Sequence, residues 1–149
     1  MEWIAALEGQ VVGLDTAPVI YFIEEHPNFL EATQAFFEAM DRGRFRAVTS
    51  VVTLLEVLVH PLRHGKTEIV QQYRDILFNV EGLFTVPLTS EIAKEAAQLR
   101  ARYKIRTPDA IHLATAAHKG ASFFLTNDSR LPSLPTLKVL VLDQLRSSQ

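Results

Sequence analysis

Val11-Val12-Gly13-Leu14-Asp15-Thr16-Ala17-Pro18 reads as a short apolar strand that ends in an acid and turns into a helix. The helical segment runs from about Thr16 to Glu25, with Pro18 in its first turn, where a missing N–H costs nothing. The same unit recurs along the chain. Arg46 to Thr49 is a strand that leads into a helix from about Val52 to His60, which Pro61 ends or kinks. Leu83 to Leu88 is a strand before a helix from Ser90 to Lys104, with Ser90 as N-cap and Ile92, Ala96, Leu99 and Tyr103 facing inward. Thr107-Pro108 caps a helix that runs to Lys119 and stops at Gly120. Ser122 to Thr126 and Leu137 to Leu142 are the last strands. Phe29 to Met40 and Thr67 to Asn79 are amphipathic helices, closed by Gly43 and Gly82. Strands that are apolar on both faces and alternate with helices predict an α/β class. The architecture expected is a three-layer α/β/α sandwich around a central, mostly parallel sheet. Such sheets keep their functional groups at the carboxyl ends of the strands.

The chain has 149 residues, 48% hydrophobic and 21% charged, which suits one buried core and excludes disorder. With no repeat, linker or low-complexity tract, one domain over 1–149 is expected. The lack of cysteine excludes a disulfide framework, a thiolate zinc site, an iron–sulfur cluster and a cysteine nucleophile. No apolar run approaches the roughly 20 residues that span a bilayer. Met1-Glu2-Trp3-Ile4 carries an acid where a signal peptide carries positive charge, so the expectation is a cytoplasmic protein with no membrane contact. The net charge of −2, from 15 basic and 17 acidic residues, differs from that of a strongly cationic nucleic-acid binder.

Four acids stand in costly or exposed-edge positions. Asp15 directly follows the first strand, where it also suits a helix N-cap. Glu56 lies in the apolar run Val51 to Val59, flanked at helical spacing by Val52 and Val59, where a carboxylate needs a partner. Asp109 opens a late helix, a position that the helix dipole favours. Asp128 follows the strand Phe123 to Thr126 in an Asn127-Asp128-Ser129 turn. In a doubly wound sheet these four positions can converge on one edge. Two carboxylates ~6 Å apart repel by roughly 3 kcal/mol at an effective dielectric of 20. A hard divalent cation, Mg²⁺ or Mn²⁺, is the natural compensator. Such an ion suits phosphodiester chemistry, because it acidifies a bound water and neutralises charge developing on the phosphate.

These residues resemble the motifs of PIN-domain ribonucleases. Leu14-Asp15-Thr16-Ala17-Pro18-Val19-Ile20-Tyr21 is similar to the opening motif, and Thr53-Leu54-Leu55-Glu56-Val57 to the second acidic motif. Thr107-Pro108-Asp109-Ala110-Ile111-His112-Leu113-Ala114 is similar to the third, and Leu125-Thr126-Asn127-Asp128 to the fourth. The motifs occur in the family's order, and the single-domain layout looks most like VapC-type toxins of toxin–antitoxin systems. The resemblance implies a sheet in the order 3-2-1-4-5. It implies a hydrolase acting on RNA, a Mg²⁺- or Mn²⁺-dependent endoribonuclease with one or two ions that leaves a 5′-phosphate and a 3′-hydroxyl. Asp15, Glu56, Asp109 and Asp128 would then be the metal-binding and catalytic acids. Thr126 would be a hydroxyl that orients a carboxylate or a water, and His112 a packed residue behind the acids. A homodimer is implied, as is a VapB-like antitoxin whose C-terminal segment covers the site. Residues 1–10 precede the usual family start as an N-terminal extension, in which Trp3, Ile4 and Leu7 suggest a short extra helix or a segment leading into the first strand.

RNA also has to be held. Arg42, Arg44 and Arg46 form one basic cluster, and Arg100, Arg102, Lys104 and Arg106 another, closer to Asp109. Cations are also favoured at helix C-termini for structural reasons alone. Of the second cluster, Arg100, Arg102 and Arg106 are the candidate RNA contacts. Two further readings stay open: a PIN nuclease of RNA processing that is not a toxin, and a non-catalytic PIN-fold interaction module. Phosphoryl-transfer folds fit worse. Asp15-Thr16-Ala17 lacks the Asp-x-Asp of haloacid-dehalogenase-type phosphatases, and Lys138 sits in a poor context for a receiver-domain lysine. Setting four of the 17 acids aside for a metal turns the remaining charge slightly positive, so the overall balance is compatible with an RNA substrate.

Overall fold

The structure, a computed structural model, describes residues 1–146, so the last three residues of the expected 1–149 domain lie outside the described residues. Five strands form one sheet: β1 (Val11–Leu14), β2 (Arg46–Ser50), β3 (Leu83–Val86), β4 (Phe123–Thr126) and β5 (Lys138–Val141). Their order is β3-β2-β1-β4-β5, and all four neighbouring pairs are parallel. β1 is therefore central and the chain order reverses beside it, which is where an open α/β sheet forms a crevice at its carboxyl edge.

The side chains of each strand alternate between two cores. Val12, Leu14, Ala47 and Leu125 face a large apolar cluster with α1 (Glu2–Ala5), α3 (Leu30–Asp41) and α5 (Thr67–Phe78). α2 (Thr16–Ile23) and α4 (Val51–Arg63) join this layer through Val19 and Val57. On the opposite face Val48 and Phe124 pack against α6 (Ser90–Arg102) and α7 (Thr107–His118). The short α8 (Leu142–Arg146) follows β5. Burial on both faces explains why the strands read as continuous apolar runs. Among the described residues no helix is long and apolar enough to cross a membrane.

Gly13 sets the distance between the sheet and α7. A Cβ at Gly13 would lie 2.4 Å from the Ala116 Cβ and 2.9 Å from Phe124 Cδ1, so only glycine fits. Three of the alanines of α7, Ala110, Ala114 and Ala116, are buried and line this side of the helix.

Several element ends differ from the sequence expectation. α4 continues two residues past Pro61, whose ring is buried in the helix, an apolar gain that offsets the lost backbone bond. α2 stops at Ile23 because Glu25 adopts a left-handed φ of 54°. β3 stops at Val86, ahead of Pro87. The cap of α6 is Thr89, not Ser90: its hydroxyl accepts from the Ile92 N–H at 3.2 Å. α6 ends at Arg102, so Tyr103 and Lys104 lie beyond it. Thr107 does not cap α7; its hydroxyl instead accepts from Arg100. In the N-terminal segment Trp3 stacks on Phe36 at 6.4 Å and Leu7 is fully buried, so α1 belongs to the core.

Candidate active site

β1 delivers Asp15 to the centre of the carboxyl edge, where its backbone N–H donates to the Leu125 carbonyl at the end of β4. Asp15 is the N-cap of α2, as its position suggested, but it also reaches across the sheet. Oδ1 accepts from the Thr16 N–H and Oδ2 from the Thr126 hydroxyl, both at 2.7 Å. The Thr126 oxygen in turn accepts from the Asp128 N–H at 3.0 Å.

Glu56 comes from the second turn of α4. The Thr16 hydroxyl donates to its Oε1 at 2.6 Å, and His112 Nε2 lies 2.7 Å from the same oxygen. His112 is buried on α7, with Nε2 3.9 Å from Asp15 Oδ1. The hydrogen bond from His112 holds the Glu56 carboxyl below its ordinary pKa against the opposing effect of burial. The partner that Glu56 needs is thus a histidine and a threonine. It does not lie on the buried face of α4, which Thr53, Val57 and Pro61 form, and Leu55, Val59 and Leu62 are exposed.

Asp109 stands in the first turn of α7, largely covered, with Arg106 Nε 3.5 Å from Oδ2. Burial, then the negative charge of Asp15, pushes its pKa up, and Asp128 adds to this. Asp128 has the opposite shift. Arg130 donates to both of its oxygens, through Nε and Nη2 at 3.0 Å, and lowers its pKa. Arg130 is exposed and was not among the candidates; its nearness to Asp128 in sequence was the available signal.

The structure therefore joins Asp128, Thr126, Asp15, Thr16, Glu56 and His112 in one hydrogen-bonded chain, with Asp109 beside it. Of the arginines proposed from sequence, Arg106 meets the acids. Arg100 is committed to the α6–α7 turn, donating to the Ile105 carbonyl and the Thr107 hydroxyl. Arg102 lies over the Tyr103 ring, 5.8 Å from its centroid.

An oxygen-only donor set with crowded negative charge fits a hard divalent cation in chemistry. The competing cations are the two guanidinium groups. Among the described residues no three His, Cys, Asp or Glu side chains stand close enough to hold an ion as placed, and Arg130, Arg106 and His112 each engage one of the acids. Both arginines are mostly exposed and can be displaced at low cost.

Crowding at Asp109 has a measurable consequence. Its folded-state pKa lies above the unfolded value, so the folded chain binds this proton more readily. Stability from this group is therefore lost as pH rises through that window, and the penalty persists at neutral pH. Asp109→Asn is expected to raise the melting temperature without divalent metal by about 2–6 °C at pH 7. The gain should shrink toward about pH 3–4, where the wild-type carboxyl is also neutral. A pH-independent difference in melting temperature would contradict this origin.

Together these features define a parallel α/β sandwich with a carboxylate-lined edge at the centre of its sheet. The PIN domain family model matches residues 12–137. The chain belongs to the PIN domain family. No curated protein matches its sequence. Among solved structures, it is similar to VapBC2 from Rickettsia felis bound to a promoter DNA fragment, at 19% identity and a TM-score of 0.69, covering 88% of this chain and 98% of that one. It is also similar to VapC20 of Mycobacterium tuberculosis, a Sarcin-Ricin loop cleaving toxin, at 14% identity and a TM-score of 0.63, covering 76% and 86%. A third is DNA-bound VapBC from Salmonella typhimurium, at 17% identity and a TM-score of 0.62, covering 90% and 98%.

Proposed function

We propose that this chain is a divalent-metal-dependent endoribonuclease and the toxin of a type II toxin–antitoxin pair, formed as a single PIN-like domain with residues 1–10 as an extension. The observation that carries the reading is the hydrogen-bonded chain from Asp128 through Thr126, Asp15 and Thr16 to Glu56, with Asp109 crowding it. Membership of the PIN family and the fold shared with VapC toxins support it.

Mg²⁺ or Mn²⁺ would be held by Asp15, Glu56, Asp109 and Asp128, and when bound would neutralise charge on the scissile phosphate and acidify the attacking water. The protein's own groups do the rest. Thr126 and the Thr16 N–H fix both oxygens of Asp15, and His112 with the Thr16 hydroxyl fixes Glu56. Four carboxylates against the Arg106 and Arg130 guanidiniums leave a deficit that one divalent ion balances. On binding, these two exposed arginines would exchange their carboxylates for phosphate oxygens of the RNA, to which Arg130, already bidentate on Asp128, is well suited. Arg102 is proposed as a further RNA contact, whereas Arg100 is engaged in the α6–α7 turn.

A VapB-like antitoxin, a homodimer and a cytoplasmic site of action complete the proposal. An apolar groove of about 890 Å³ between α2, α3 and α5 supports a partner chain. Phe22, Leu30, Phe37 and Ile76 line it, and Glu24 and Glu38 lie at it as complements to a basic segment.

The test is cleavage of a mixed RNA pool by chelator-stripped protein with and without Mn²⁺, paired with Mn²⁺ calorimetry. Cleavage and a binding isotherm that both require intact acids are expected. A chain that binds no Mn²⁺ and cleaves no RNA is instead a PIN-fold interaction module, the reading that the Arg130–Asp128 pair favours. Growth arrest on expression, relieved by the neighbouring small reading frame, separates a toxin from an RNA-processing nuclease.

A further inference from the structure

Glu56 is the one acid of the four that reaches the edge from the middle of a helix. Its side chain is about one-third exposed and has three rotatable bonds, so its place is not set by packing. Two donors from other elements hold it. The Thr16 hydroxyl spends its only proton on Oε1 at 2.6 Å, and His112 Nε2 meets the same oxygen at 2.7 Å. Among the described residues both of these bonds fall on Oε1 and none is made by Oε2.

His112 is placed to hold rather than to react. Its ring is 2% exposed and sits one turn beyond Asp109 on α7, so it ties the acid of α4 to the helix that carries another. Every neighbour of Nε2 is an acceptor: Glu56 Oε1, Asp15 Oδ1 at 3.9 Å and the Thr16 oxygen at 3.3 Å. Nδ1 is buried, with no hydrogen-bond partner among the described residues. A proton at Nδ1 would be a buried donor without an acceptor, whereas a proton at Nε2 is satisfied. Nε2 is therefore the nitrogen that donates to Glu56 Oε1.

We propose that His112 is the positioning residue for Glu56: its Nε2–H and the Thr16 hydroxyl clamp Oε1 and leave Oε2 as the oxygen available to a divalent cation or its water. The proposal rests on the nuclease reading above, but half of its test does not. In the chelator-stripped protein, ¹⁵N NMR of the imidazole should report a proton on Nε2, hydrogen-bonded to the Glu56 carboxylate. His112→Gln retains an amide donor near the Nε2 position, and His112→Phe keeps the ring volume without the donor. Mn²⁺ affinity, read by calorimetry, should fall about tenfold or more in His112→Phe and stay within about threefold of wild type in His112→Gln, the usual scale for groups behind a metal ligand. In cleavage assays kcat should fall with KM for RNA unchanged.

A structural role alone would lower the melting temperature of both variants and would not be rescued by glutamine. If His112→Phe does not fold, Thr16→Val removes the second donor and should weaken Mn²⁺ binding in the same direction. An Nε2 without a proton, or wild-type Mn²⁺ affinity in His112→Phe, would overturn the inference. Loss of Mn²⁺ binding in Asp15→Asn with normal binding in His112→Phe sinks this inference alone. Normal Mn²⁺ binding in Asp15→Asn sinks the nuclease reading itself.

Discussion

Asp15→Asn should abolish metal-dependent RNA cleavage, by about 100-fold or more, with the fold unchanged. Asp15 directly follows β1, the central strand, so it stands between the two halves of the sheet edge. Both of its oxygens are already oriented, by the Thr16 N–H and the Thr126 hydroxyl. Asparagine preserves that scaffold. Its oxygen accepts from one of these donors, and its amide can donate to the Thr126 oxygen, because a hydroxyl rotates to accept. What asparagine removes is the charge that attracts a cation. Losing it also relieves the repulsion that raises the Asp109 pKa. Circular dichroism melts should show no loss of stability, while cleavage of a labelled RNA with Mn²⁺ disappears. Wild-type cleavage by this variant, after rigorous removal of contaminating nuclease, would remove Asp15 from the mechanism.

The largest stability effect is expected far from any charge. Gly13→Val should destabilise the fold by about 3 kcal/mol or more, the upper range for overpacking a rigid interior. Even the first added carbon would sit 2.4 Å from the Ala116 Cβ and 2.9 Å from Phe124 Cδ1. Neither neighbour is the far end of a flexible chain, so α7 has to retreat from β1. That retreat carries Asp109 and His112 away from Asp15 and Glu56, so Mn²⁺ affinity should fall together with stability. Urea unfolding and Mn²⁺ calorimetry on Gly13→Ala and Gly13→Val check both. A Gly13→Ala variant with wild-type stability would mean that α7 moves freely, against the packing described here.

Much of the site was legible as separate positions. The strand ends located Asp15 and Asp128, since an acid directly after an apolar run falls on the carboxyl edge. Glu56 stood out because its neighbours at helical spacing were valines. The links between these acids were less visible. Glu56 and His112 are 56 positions apart and Thr16 and His112 are 96 apart, and no local pattern encodes such pairs. A partial signal existed: His112 follows Asp109 by three residues, which places both on one face of a helix. Thr16 was hidden by its role in the opening motif, where it reads as a helix start. Arg130 was readable as a turn partner of Asp128, but whether its side chain turns back onto that carboxylate depends on the loop.

Local rules also misplaced some element ends. Pro61 reads as the end of a helix or a kink in it, and α4 continues past it, because burial of the ring is a tertiary gain that a helix propensity does not include. Thr89 and Ser90 are both good caps, and the choice between them depends on where β3 releases the chain.

The sequence alone determined the kind of fold and the inventory of the edge. Alternating buried strands and amphipathic helices lead to a parallel sandwich, because backbone hydrogen bonding and burial on both faces leave few other arrangements. Tertiary structure decided how the four acids are held: Asp15 by Thr126, Glu56 by His112 and Thr16, Asp109 against Arg106, Asp128 by Arg130. Those assignments depend on distances of a few ångströms between residues remote in the chain. Such distances exist only once Gly13 and the alanines of α7 have let a helix pack directly against the central strand.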